Sequence, residues 1–161
     1  MIVGSYTFPF VSSGILTYDP GHGTKHYEPW WCLLKLDEEL CRYYSWHMNK
    51  VEPIAPPNSL WGFHSSVLKG EVPTKNIDKW GKDNGKRVEF HYSNYISYSN
   101  GRHAWINMYC EELSELRDFY GLYTNGGKLK YHMTLGRLRH PTVPEPPGAT
   151  ILHKTGELHS V

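Results

Sequence analysis

One unit occurs twice in this chain of 161 residues, and the repeat constrains the fold more than any other feature. Each copy has an apolar segment typical of a strand, a stretch of helical periodicity that begins with acidic residues, and a second apolar segment containing His-x-Ser/Thr. The first copy reads WWCLLKL, DEELCRYYSWHM and FHSSVLKG, and the second reads AWINMYC, EELSELRDFYG and YHMTLGRL. An internal repeat places equivalent residues symmetrically about an axis. We therefore expect His64 and His132 to face each other across a cleft.

Local signals define the elements of each copy. Asp37 is a suitable N-cap for a first helix, with two glutamates in its first turn. Gly121 is a suitable C-terminal stop for a second helix over 111–120. Asn100 and Gly101 form the pair preferred in a two-residue hairpin turn. Strands are predicted at 30–36, 60–68, 88–99, 102–109 and 130–138, and residues 1–29 are interpreted as extended segments and loop.

Length and composition favour one soluble globular domain. Residues 1–140 form the predicted domain, and residues 141–161 form a proline-rich linker and tail that is a candidate lid. The three cysteines lack paired spacing, which argues against a disulfide framework and a cysteine zinc site. The chain has neither a signal-peptide pattern nor an apolar run long enough to span a bilayer. These features predict a cytoplasmic protein without membrane partners.

Strand alternation assigns a face to each motif residue. Because side chains alternate between the two faces of a strand, His64 and Ser66 should project together while Ser65 points to the other side. For the same reason His132 and Thr134 should project together. Each motif then presents one imidazole and one hydroxyl to the same space.

This set of groups matches the needs of metal-free phosphodiester cleavage. One histidine can accept a proton from the attacking oxygen and the other can donate a proton to the leaving oxygen. The hydroxyls of Ser66 and Thr134 can bind the non-bridging phosphate oxygens, where charge develops. In a 3′–5′ RNA-type linkage the neighbouring 2′-OH is an available nucleophile. We therefore expect His64 and His132 to be catalytic, Ser66 and Thr134 to bind phosphate, and no metal or cofactor to be needed.

The two motifs, HSSV and HMTL, resemble those of the 2H phosphoesterase superfamily, although Ser66 stands where many members have Thr. That resemblance implies an α+β fold with two pseudo-symmetric lobes of antiparallel sheet and outer helices around a central cleft. The flanking segments WWCLLKLDEELCRYYSWHM and HYSNYISYSNGRHAWINMYC also look like the phage anti-CBASS nucleases. This likeness implies cleavage of 3′–5′ bonds in cyclic di- and trinucleotide signals such as cGAMP. Such an enzyme would block antiphage defence in the cytoplasm of an infected bacterium.

Other residues are weaker candidates for the site. Tyr27 is placed to stack on a base at the cleft mouth, and Arg137 is a candidate phosphate contact. Lys69 is expected on the strand face opposite Ser66. His22 and His26 lie in a glycine-rich loop without carboxylate partners, which argues against a metal site. The tryptophans at 30, 31, 61 and 105 are interpreted as packing residues.

Two alternative functions stay open. The first is an RNA-processing enzyme of the same superfamily that acts on 2′,3′-cyclic phosphate ends. The net charge of +1 disfavours a large nucleic-acid partner, which usually requires a broad basic surface. The second is a sponge that binds a cyclic nucleotide without cleaving it, although binding alone does not require two imidazoles. The sequence leaves oligomerisation open.

Overall fold

The computed structural model describes residues 1–57, 60–99 and 102–139. The predicted hairpin turn at Asn100-Gly101 and the predicted tail at 141–161 lie outside this part of the chain. The described residues form nine strands, two α-helices and one 3-10 turn at Ile77–Lys79. The strands are β1 (Ile2–Val3), β2 (Tyr6–Thr7), β3 (Phe10–Tyr18), β4 (Trp31–Leu36), β5 (Ile54–Ala55), β6 (His64–Lys69), β7 (Arg87–Tyr98), β8 (His103–Tyr109) and β9 (Tyr131–Leu138). The helices are α1 (Glu38–Val51) and α2 (Glu111–Phe119).

Seven of these strands form one antiparallel sheet in the order β5-β9-β8-β7-β3-β4-β6. Apart from the short edge strand β5, the order is symmetric about the junction of β7 with β3. Each half runs along the chain as strand, strand, helix, strand, with β3, β4, α1 and β6 in the first half and β7, β8, α2 and β9 in the second. The repeated unit of the sequence therefore corresponds to the last two strands and the helix of each half, and the α+β class is confirmed.

The helix boundaries follow the local signals in the sequence. The Asp37 side chain accepts a hydrogen bond from the backbone N–H of Glu39 at 2.9 Å, which satisfies one of the free donors at the start of α1. Gly121 follows α2 with a φ of +72°, a conformation that side chains with a Cβ rarely adopt. Both helix predictions are thus confirmed at the ends that the sequence identified.

The strand predictions are correct for β4, β7, β8 and β9 to within two residues. The prediction at 60–68 begins too early, because Gly62 has a left-handed φ of +67° and β6 starts only at His64. The long central strand β3 lies within the segment that the sequence left as extended segments and loop. Its Ser-Ser-Gly stretch interrupts the alternation of apolar and polar residues that would have indicated a strand. Its backbone hydrogen bonds are made with β4 and β7, which are separated from it in the sequence.

The sheet curls so that its two motif strands, β6 and β9, lie beside each other. Helix α1 packs against β9 and helix α2 against β6, so each helix contacts the motif strand of the other half. One hydrophobic core joins both halves and both helices; it includes Leu16, Leu34, Met48, Phe90, Ile106, Leu113, Met133 and Leu135. Within the described residues, neither helix has the length and apolar character needed to cross a membrane.

Candidate active site

The four predicted motif residues meet in one cleft. His64 and Ser66 from β6, together with His132 and Thr134 from β9, line a cavity of about 440 Å³. The intervening residues Ser65 and Met133 are buried on the other side of their strands. The structure therefore places two imidazoles and two hydroxyls around the same space, as strand alternation predicted.

A backbone carbonyl orients the His64 ring. Its Nδ1 lies 2.9 Å from the oxygen of Gly62. Since a carbonyl can only accept, this contact assigns the proton to Nδ1 and leaves Nε2 as the unprotonated nitrogen of the neutral ring. Burial lowers the pKa of His64, the Gly62 contact acts in the opposite direction, and the charge of Lys69 lowers the pKa further.

The His132 ring has a different environment. It packs against the Trp105 indole with 5.6 Å between ring centroids, and it is more exposed than His64. Desolvation by the surrounding protein lowers the pKa of His132, and the neighbouring charge of Lys130 acts in the same direction. In the described part of the chain no carbonyl fixes a tautomer of this ring, so the two imidazoles are not equivalent.

Tryptophans support both motifs. The Trp31 indole packs edge-on to His64 at 5.9 Å between centroids and donates its Nε1–H to Ser66 Oγ at 3.1 Å. This bond uses Ser66 as an acceptor and leaves its O–H to donate to a ligand. Trp105 lies opposite Thr134 in the β8–β9 register. The sequence assigned both tryptophans to packing alone and missed their contacts with the motifs; their position on the neighbouring strand of each copy was the available signal.

The cleft is more positively charged than the chain as a whole. Its lining includes three cations, Lys69, Arg117 and Lys130, and one carboxylate, Glu71. These groups give the cleft a formal charge of +2, whereas the whole chain carries +1. A concentrated positive potential in a concave site attracts small anions without the broad basic surface that a long nucleic acid requires.

The prediction for Lys69 is wrong. Lys69 lies on the same side as His64 and Ser66, where it lines the cleft. The cause is an irregularity in β6: Cys32 pairs with Leu68 but Leu33 pairs with Ser66, so Val67 is an extra residue. A β-bulge of this kind shifts the alternation of side chains by one position, and the prediction had assumed a regular strand.

Arg137 occupies the equivalent position on β9. Leu135 is the extra residue of a second bulge there, and Arg137 lies on the face of His132 and Thr134. Arg137 is exposed and pairs with His103 in the register, and it does not line the cleft. The structure therefore brings Lys69, rather than Arg137, next to the two motifs.

Two further cavities flank the cleft. The one on the His64 side measures about 640 Å³ and is lined by Tyr27, Trp31 and Trp61 together with Lys25 and other residues. Tyr27 is 40% exposed, so its ring is accessible at this side of the site. The cavity on the His132 side measures about 300 Å³ and includes Arg102, His103 and Trp105.

The described residues contain no cluster of three or more His, Cys, Asp or Glu side chains arranged to hold a metal ion. His22 and His26 lie in an exposed loop, where the His22 ring contacts Tyr27 edge-on at 5.3 Å. The three cysteines are free and buried.

Comparison with known proteins gives no match. No family model fits the chain, and no curated protein and no solved structure is significantly similar to it. Interpretation of the site therefore depends on its own geometry and on the motif pattern.

Proposed function

We propose that this protein is a metal-independent phosphodiesterase in which His64 and His132 act as general base and general acid. The observation that carries the proposal is that both His-x-Ser/Thr pairs line a single cleft. Two imidazoles and two hydroxyls that line one small cationic cleft suit proton transfer to and from a phosphodiester better than they suit simple binding.

The chemistry follows from the groups in the cleft. One imidazole removes the proton of the substrate 2′-OH, whose oxygen attacks the adjacent phosphorus. The bond from phosphorus to the 5′-oxygen breaks, and the other imidazole donates a proton to that oxygen. The products are a 2′,3′-cyclic phosphate and a 5′-OH, with no net change in protons. Ser66 and Thr134 donate hydrogen bonds to the non-bridging oxygens, while Lys69 and Lys130 balance their charge.

We propose cyclic di- and trinucleotides with 3′–5′ bonds as the substrate class. The motif resemblance to the 2H superfamily and to the anti-CBASS nucleases supports this choice, and so does the symmetric order of the two halves of the sheet. Cavities with aromatic linings on both sides of the phosphate site are suited to flat bases. On this proposal the protein acts in the cytoplasm of an infected bacterium and removes the signal of a CBASS defence system.

The decisive experiment is incubation of the purified protein with a panel of 3′–5′ cyclic di- and trinucleotides in the presence of EDTA. We expect linear products, and we expect the variants His64→Ala and His132→Ala each to lose at least about 100-fold in turnover while remaining folded. His91→Ala removes a half-buried histidine of β7 that lines neither the cleft nor its flanking cavities, and it is the matched control. Turnover that disappears with EDTA and returns with zinc or manganese would overturn the two-histidine mechanism.

The same panel tests the nature of the nucleophile and the alternatives. A dinucleotide with only 2′–5′ bonds has a 3′-OH instead of a 2′-OH beside the scissile phosphate; since the proposed base acts on the 2′-OH, we expect this dinucleotide to resist cleavage. Tight binding without any product would instead identify a sponge. Cleavage restricted to 2′,3′-cyclic phosphate ends of RNA would identify the RNA-processing alternative.

A further inference from the structure

The two motif strands have a bulge at the same place. The extra residue is Val67 in β6 and Leu135 in β9, and each directly follows the hydroxyl residue of its motif. A bulge residue is left out of the ladder of hydrogen bonds between strands. Since buried backbone carbonyls need partners, the carbonyls of Val67 and Leu135 must be satisfied from outside the sheet.

Each of these carbonyls is bound by the helix of the other half. Arg117 of α2 donates from Nη1 to the oxygen of Val67 at 2.8 Å. Ser45 of α1 donates from Oγ to the oxygen of Leu135 at 3.2 Å. Ser45 is the eighth residue of α1 and Arg117 is the seventh of α2, so the two donors occupy nearly equivalent positions. The contacts are exchanged between the halves of the molecule.

Arg117 holds β6 at more than one point. Its guanidinium is buried, and it makes a two-point contact with the Glu71 carboxylate at 2.8 and 2.6 Å. Its Nε also donates to the carbonyl of Tyr123 at 2.8 Å. Val67 and Glu71 lie on either side of Lys69 in sequence, so Arg117 fixes the segment that turns Lys69 toward the cleft. A guanidinium supplies this fork of donors, and an ammonium group does not.

We propose that Ser45 and Arg117 are positioning residues that act across the two halves. Arg117 on the second-half helix holds the bulge that orients His64 and Ser66, and Ser45 on the first-half helix holds the bulge that orients His132 and Thr134. These crossed contacts fix the separation of the two imidazoles, because the motif strand of each half is bound to the helix of the other half. The consequence for catalysis rests on the proposed phosphodiesterase function. The dependence of the His64 ring on Arg117 and of the His132 ring on Ser45 does not rest on it.

The test measures the two histidine rings by NMR in the free protein. Ser45→Ala should shift the ring resonances and the pKa of His132 and leave those of His64 unchanged. Arg117→Lys retains the charge but not the fork of donors, and it should change His64 and leave His132 unchanged. With a cleavable cyclic dinucleotide, each variant should lower kcat by about tenfold or more with little change in KM, since misplacement of a reacting group affects turnover.

Matched controls come from one hydrogen bond far from the motifs, in which Arg87 Nη1 donates to Ser13 Oγ at 2.9 Å. Ser13→Ala and Arg87→Lys should leave both rings unchanged. Ser45→Thr retains the hydroxyl and should restore the His132 signals, which keeps the test informative even if Arg117→Lys does not fold. The proposal is overturned if Ser45→Ala leaves His132 unchanged or perturbs His64 instead. A protein that cleaves none of the substrates but shows the crossed shifts would refute the proposed function alone.

Discussion

At the scale of single residues, the two motif histidines should set the pH dependence of the reaction. Desolvation is the main cause that lowers the pKa of His64 and of His132 from the ordinary value of about 6.5. The proposed mechanism needs one ring neutral and the other protonated, and the protonated fraction of the acid falls as the pH rises above its pKa. We therefore expect kcat/KM to peak below pH 6.5 and to fall as the pH rises through neutrality. A maximum above pH 7 would contradict this assignment.

Two lysines allow the limbs of that profile to be assigned. Lys69 lowers the pKa of His64 and Lys130 lowers the pKa of His132. Lys69→Gln should therefore raise the pKa of His64 alone, and Lys130→Gln should raise that of His132 alone, as NMR titration would measure. The histidine whose variant shifts the rising limb of the pH profile is the base, and the one whose variant shifts the falling limb is the acid. Each variant is the control for the other.

The carbonyl that orients His64 belongs to a glycine that cannot be replaced without cost. Gly62 has a φ of +67°, and a Cβ on it would lie 2.9 Å from Glu38 Oε1. We expect Gly62→Ala to lower the free energy of unfolding by about 1–2 kcal/mol through backbone strain and also to lower turnover, because the His64 contact shifts.

Gly85→Ala is the matched control for this change. Gly85 has a φ of +85°, and no atom lies within 4 Å of the Cβ position. The two variants should lose similar stability in urea unfolding, while only Gly62→Ala should lose activity. Equal activity in both variants would show that the Gly62 carbonyl does not orient the catalytic ring.

At the scale of elements, features that depend on neighbouring residues could be predicted from the sequence, whereas features that depend on residues distant in the chain could not. The ends of the helices were predictable because Asp37 and Gly121 act within one turn of the chain. The face of Lys69 was not, because the bulge at Val67 is held by Arg117, fifty positions away. The motif residues themselves precede both bulges, so simple alternation assigned them correctly.

Gly136 provides a test of how the edge strand determines the sequence of β9. A Cβ at this position would collide with the carbonyl of Ala55 in β5. The equivalent residue of β6 is Leu68. Among the described residues β6 is an edge strand, so no neighbouring strand restricts the side chain at that position. Its φ is not left-handed, so the conflict is purely steric. We expect Gly136→Ala to lower the free energy of unfolding by about 1–3 kcal/mol, as denaturant unfolding would measure. Stability equal to that of the unmodified protein would mean that β5 does not pack closely on β9.

At the scale of the whole molecule, the internal repeat was the most informative property of the sequence. It predicted that the two histidines are equivalent and face one space, and the structure places them in one cleft. It did not predict that the halves share one sheet through β3 and β7, or that each helix packs on the opposite motif strand. These features depend on how the two similar units pack against each other, and the sequence of one unit does not determine that packing.

The stability of the whole fold should decrease in acid because of His47. This histidine of α1 is 1% exposed, and neither ring nitrogen has a hydrogen-bond partner among the described residues. Burial lowers its pKa, and the charge of Lys50 adds to the effect. The unfolded chain therefore binds a proton at a higher pH than the folded protein does, so the free energy of unfolding should fall as the pH falls below about 6.5.

Replacement of His47 by phenylalanine removes the titrating group and keeps an aromatic ring between Tyr43 and Trp46, whose rings lie 4.6 and 4.8 Å from it. We expect His47→Phe to be at least as stable as the unmodified protein at pH 7.5, because it removes two buried nitrogens that have no partner among the described residues. Its stability should also decrease less between pH 7.5 and pH 5 in urea unfolding. His22→Gln, at an exposed position, should retain the full decrease. If His47→Phe retained the full decrease as well, the acid sensitivity would belong to His64, His103 and His132, whose pKa values are also lowered, and not to His47.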